Sequence, residues 1–213
     1  MRRTGARNIG GPAAAVAAVA TALLVLGCGL DAPNPTVSPS ASPDQGVTPS
    51  PDVAPPTTPS AGSVLVDPRL LDLLPATIDD VARIDDPDTG AEIAGELAGD
   101  AGLADDIEAV GVALYAGAAD YAVVTVTRLR PGRFDDAYFR DWRDTFDAAV
   151  CDQAGGVDGR AEAPIAGRTA YIGTCAGGVR TYHVHLSGPE RLVSLQALGE
   201  GRFGERILGG LTE

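Results

Sequence analysis

The chain has 213 residues, of which 45% are hydrophobic and 21% charged, enough for one domain with a buried core. Its 16 basic residues, all arginine, face 29 acidic ones, a formal charge of −13. So acidic a chain is repelled by phosphate backbones and anionic headgroups, which argues against a nucleic-acid partner and against a membrane-binding surface face.

The first seven residues carry Arg2, Arg3 and Arg7 and no acid, and Pro12 to Leu26 is an uncharged run of about 15 residues, mostly Ala, Val and Leu. A helix needs about 20 residues to span a bilayer core, so residues 1–27 read as a secretory signal peptide, not a permanent span. The run ends in Leu24-Val25-Leu26-Gly27-Cys28, which resembles the lipobox of bacterial lipoproteins, with Leu26 where a small residue is usual. The resemblance implies cleavage before Cys28 and a covalent diacylglycerol on its thiol, often with acylation of the new amine. Arginine without lysine, in a chain rich in Ala and Gly, gives the resemblance an actinobacterial character. Each buried methylene contributes about 0.8 kcal/mol and two acyl chains make a stable anchor, so the expected location is the outer face of the cell membrane. Removal of residues 1–27 takes away three arginines and no acid, leaving 13 arginines against 29 acids, a charge of −16.

Residues 28–62 hold the lipidated cysteine and a stretch of Pro, Ser, Thr and Ala without apolar period, which reads as a disordered tether whose composition permits O-glycosylation. Residues 63–213 form the globular domain. In chain order, Asp67-Pro68 caps a short amphipathic helix through Leu70, Leu71, Leu73 and Leu74; Thr89 and Glu92 have capping-box spacing for a helix running to about Leu97; and Asp105 to Glu108 reads as a turn. Alternation in Val110, Val112 and Leu114, and again in Tyr121, Val123 and Thr125, predicts a hairpin. From Phe134 to Val150 an apolar stripe of Phe139, Trp142, Phe146 and Ala149 predicts a helix, with Asp136/Arg140, Arg140/Asp144 and Arg143/Asp147 as exposed ion pairs. Strands over 168–175, 179–187 and 191–198 and a closing helix with Phe203, Ile207, Leu208 and Leu211 follow. Short turns demand antiparallel pairing, so the predicted fold is α+β, an antiparallel sheet of about five strands with helices packed on it. The element order looks compatible with the Mog1/PsbP-like sheets of some actinobacterial lipoproteins, a likeness that leaves function open.

Cys151 and Cys175 are an even pair in an exported domain and are expected to form one structural disulfide, contributing about 3.5 kcal/mol through loop entropy. His183 and His185, two apart on a strand, share a face opposite Tyr182, Val184 and Leu186, and could supply two ligands of a zinc or copper site completed by a carboxylate. The acids between Asp79 and Glu96 fit no EF-hand, because Pro87 and Thr89 fall at ligand positions, and they read as caps and solvated faces. Val64 to Val110 has 13 acids and two arginines, a face that keeps a tethered domain soluble or meets a basic partner. No Gly-x-Ser-x-Gly, Ser-x-x-Lys, His-Glu-x-x-His or P-loop is present, and nothing singles out a carboxylate pair. The expectation is a lipid-anchored, non-enzymatic domain that binds a protein or envelope component and needs no cofactor beyond its lipid. Two alternatives are a carrier of a lipid or other apolar ligand, and a metal-binding domain at His183 and His185.

Overall fold

A computed structural model describes residues 62–188 and 190–212. The signal peptide, Cys28 and all of the tether but Gly62 lie outside the described residues, so the lipidation expected at Cys28 has no structural counterpart here.

The domain is built on one sheet. Its central strands are β4 (Ile107–Ala116) and β5 (Tyr121–Leu129), joined by the hairpin that the alternating pattern predicts. The strands β6 (Val157–Ile165), β7 (Arg168–Cys175), β8 (Arg180–Leu186) and β9 (Arg191–Leu198) follow as a meander, and β9 returns to lie antiparallel beside β5. Three short strands, β1 (Leu65–Val66), β2 (Thr77–Ile78) and β3 (Val81–Asp85), finish the other side, β1 pairing parallel to β4. The order is β2-β3-β4-β5-β9-β8-β7-β6, with β1 beside β4. The α+β class therefore stands, but the sheet has nine strands and not about five. The principal addition is β6, whose Gly159, Pro164 and two alanines carry little strand propensity. It exists because Ala166 and Gly167, with φ of 49° and 79°, make the tight turn that folds it back on β7, and because an edge strand tolerates Pro164.

Helices cover both faces. On one, a 3-10 helix (Pro68–Leu73) and α4 (Phe203–Gly209) bring Leu71, Ile207 and Leu208 onto Tyr115, Val124, Tyr182 and Leu195. On the other, α1 (Pro87–Gly99), α2 (Ala101–Asp106) and α3 (Asp136–Asp152) lay Ile93, Leu97, Leu103, Phe139 and Trp142 over Val110, Val112, Val123 and Leu192. Residues 122–127 of β5 are accordingly buried without alternation, the mark of a strand packed from both sides.

Two local expectations change. The cap of α1 is Asp86 and not Thr89: its carboxylate accepts the Thr89 amide at 3.0 Å and the Thr89 hydroxyl at 2.8 Å, with Pro87 in the first turn. Asp105 and Asp106 form the end of α2, and Glu108 already belongs to β4.

The helix α3 connects β5 to the far edge strand β6. Four strand spacings separate the two, about 19 Å, and a 17-residue helix is about 25 Å long. The helix thus crosses β9, β8, β7 and β6 obliquely, anchored by Phe139, Trp142, Phe146 and Val150. What lies beneath this crossing is not all apolar.

Candidate functional site

Register aligns Thr125, Ser194, His183 and Tyr171 in one row across β5, β9, β8 and β7, and Gln196, Thr181 and Gly173 in the next row across β9, β8 and β7. Side chains of one row share a face, and this is the face that α3 covers. Thr125, Thr181, His183, Ser194 and Gln196 are all buried. Polar groups in such a place must find partners or destabilise the fold.

Thr181, His183 and Ser194 find them in α3. Trp142 Nε1 donates to Ser194 Oγ at 3.0 Å, and Ser194 Oγ lies 3.0 Å from His183 Nδ1. His183 Nε2 is 2.9 Å from Asp147 Oδ1, which also accepts the Thr181 hydroxyl, while Arg160 Nε on β6 donates to Asp147 Oδ2 at 3.3 Å. The pattern closes with the imidazole proton on Nε2: Trp142 N–H to Ser194, Ser194 O–H to Nδ1, and Nε2–H to the carboxylate. Burial, the largest single influence on Asp147, pushes its carboxyl up; His183, Thr181 and Arg160 outweigh it and hold the group below the ordinary range. Asp147 is therefore an ionised carboxylate sealed under a helix.

Gly173 makes room for it. A Cβ at that position would lie 2.8 Å from Asp147 Oδ1 and closer still to Thr181 Oγ1, so only glycine lets the carboxylate settle on the sheet. This corrects the expectation of an exposed Arg143/Asp147 pair. Asp147 turns inward, and the Arg143 guanidinium lies on the Tyr171 ring at 3.9 Å.

Asp147, His183 and Ser194 have the residue types of a nucleophile triad, which no sequence motif betrayed. The arrangement is not that of an attacking serine. Ser194 and His183 are each 1% exposed, and Ser194 lies beneath Trp142, whereas attack requires a substrate carbon at roughly 3 Å. The ring is also reversed with respect to the serine-protease arrangement, presenting Nδ1 to the serine and Nε2 to the acid. The network fastens α3 to the sheet.

Beside it, where α3 meets β6 and β7, a cleft of about 210 Å³ opens, lined by Arg143, Asp147, Arg160, Glu162, Tyr171 and His183 among others. Asp144 Oδ1 stands 3.8 Å from Arg143 Nε and 3.6 Å from Arg160 Nε, beyond hydrogen-bond reach of both. Among the described residues, neither arginine makes a hydrogen bond through its terminal Nη groups. No family model matches the chain, and neither a curated protein nor a solved structure does. Its chemistry has to be read from these side chains.

Of the residues singled out in sequence, Cys151 and Cys175 are joined, with S–S 2.04 Å and Cα atoms 5.0 Å apart, and buried with Phe146 and Val150. The bridge ties the C-terminal turn of α3 to the end of β7, four residues beyond Asp147. His183 and His185 do share a face, but their roles diverge. Both nitrogens of His183 are engaged within the protein. The ring of His185 lies flat on Phe134, with centroids 3.4 Å apart and planes 8° from parallel, and burial holds its pKa below the ordinary value. Its Nε2 is buried without a hydrogen-bond partner, and the described residues contain no cluster of three or more His, Cys, Asp or Glu suited to a metal. A zinc or copper ion at this pair would have to break the Asp147 network, so the geometry favours the cleft over the histidines as a binding site.

Proposed function

We propose that the chain is a lipid-anchored lipoprotein on the outer face of the cell membrane whose α+β domain binds an envelope component or an extracytoplasmic protein without turning it over. The observation that carries the binding half of this reading is the contrast within one site. Every polar atom of the Asp147, His183 and Ser194 chain is engaged and covered, while the arginines of the adjoining cleft keep their Nη groups open. Groups held this way present a recognition surface and offer no reacting atom. The signal, the Cys28 lipobox and the Pro/Ser/Thr tether support the location, and the disulfide suits an oxidising compartment. Among the described residues no helix is long and apolar enough to cross a membrane.

A carrier of lipid ranks lower. Ligand pockets generally enclose about 300–1,000 Å³ behind mostly apolar walls, and this cleft is smaller and lined by four charged side chains. The test is capture of solubilised envelope fractions by the full-length protein in neutral detergent. Saturable retention of a component, competed by free protein, is the expected result; retention of nothing above a denatured control would overturn the proposal, as would hydrolytic turnover lost in Ser194→Ala.

A further inference from the structure

The geometry points to a carboxylate group as what the cleft between α3 and β6 binds, held between Arg143 and Arg160; this rests on the binding reading of the same cleft. A guanidinium presents its donors in a planar fork that matches the two oxygens of a carboxylate, and charge-assisted bonds of this kind are among the stronger polar contacts. Both forks are open here. Arg143 is fixed by its stack on Tyr171, which leaves the edge of its plane free, and its side chain is 20% exposed. Arg160 is held only through Nε, at 3.3 Å from Asp147, and is 52% exposed. An arginine already positioned by a stack or an ion pair loses little further freedom when a ligand arrives.

Asp144 shows what the pair accommodates. Its carboxylate already lies on the Nε side of both guanidiniums, though too far from either for a hydrogen bond. A second carboxylate at the Nη edges would complete the coordination that Asp144 begins. The cleft, at about 210 Å³, suits one such group with a few attached atoms and not an acyl chain. Tyr171 supplies the apolar wall against which those atoms rest, and Glu162, which also lines the cleft, favours a ligand with a donor beside its carboxylate. The net negative charge of the chain opposes anions at long range, but that field is screened beyond about 8 Å at physiological salt, so the short N–H contacts decide.

Carboxylates of this size occur as free small acids and as chain ends of peptides, and the test separates the two. Full-length protein in neutral detergent micelles, labelled with nitrogen-15, is titrated with succinate, with N-acetyl-triglycine and with inorganic phosphate, while the Nε–H signals of Arg143 and Arg160 are followed. The expected result is saturable shifts at both arginines with a carboxylate probe, weakened about tenfold or more in Arg143→Gln and in Arg160→Gln, with the amide dispersion of the folded protein retained. Tighter binding of N-acetyl-triglycine identifies a peptide terminus, and tighter binding of succinate a free acid. No saturable shift with either carboxylate, shifts unchanged in both variants, or a response to phosphate alone overturns the inference. Saturable capture of an envelope component that both variants retain would sink it while leaving the proposed function standing.

Discussion

Replacing Ser194 by Ala removes one oxygen from a site where nothing can substitute for it. Ser194 is 1% exposed, Trp142 is 5% exposed, and the hydroxyl is both the acceptor for Trp142 Nε1 and the neighbour of His183 Nδ1. Each group left without a partner in the interior costs about 1–3 kcal/mol, so two orphans cost about 2–5 kcal/mol, reduced slightly by the apolar methyl left behind. For a domain of this size each kcal/mol lowers Tm by about 2–4 °C, a fall of roughly 4–20 °C. The assay is urea unfolding of the oxidised protein by far-ultraviolet circular dichroism, since Trp142 is the single tryptophan and is itself varied in the control, with a lower midpoint and an unchanged slope. Trp142→Phe supplies the control, because without the indole N–H one of the two orphans disappears. On that background Ser194→Ala should cost about 1 kcal/mol less than in the wild type. A loss below about 0.5 kcal/mol, or strict additivity of the two substitutions, would refute the view that this chain of hydrogen bonds fastens α3.

Gly173→Ala should drive the Asp147 carboxylate off the sheet, costing on the order of 2 kcal/mol and shifting the His183 ring signals; an unshifted ring would mean that the glycine is not what admits the carboxylate. The paired change Cys151→Ser/Cys175→Ser opens a bridge of sequence separation 24 and should lower stability by about 3.5 kcal/mol, with dithiothreitol destabilising only the wild type. Acid should act in two stages. His185 has its folded pKa held below 6.5, so the stability it contributes is full above that pH and is lost as pH falls toward the folded value; His185→Phe should flatten this stage. Asp147, held below 3.8, contributes fully above that pH and fails only in stronger acid, and Asp147→Asn should remove that second stage in a pH series of unfolding midpoints.

Much of the scaffold was legible because single segments carried the signal. The aromatic stripe of α3 announced its buried face, the period of two in β4 and β5 announced a hairpin, and the two cysteines of the domain could pair only with each other. Strand β6 was not legible, because an edge strand of Gly, Ala, Pro and charged residues takes its conformation from its partner. The site was hidden for a related reason. Asp147 lies 36 residues from His183, and His183 lies 11 from Ser194, so their meeting is a product of the α3 crossing and the β8/β9 register. In sequence Asp147 is four residues from Arg143 and reads as half of a surface pair, although its place between Phe146 and Val150, on the border of the apolar stripe, was a signal that it could turn inward. The α3 crossing likewise forces His183 and Ser194 into the interior, while their neighbours Tyr182 and Val193 pack on the opposite face, and that cover was visible only once α3 was placed over β8 and β9.

The location, the oxidised disulfide and the tethered presentation of the cleft all depend on what happens at Cys28. Intact-mass measurement of the protein purified from the membranes of its own host tests this directly. The predicted result is a chain that begins at Cys28 and carries the mass of a diacylglycerol, with or without a third acyl chain; an unmodified chain still carrying residues 1–27, or one cleaved elsewhere without lipid, would contradict it.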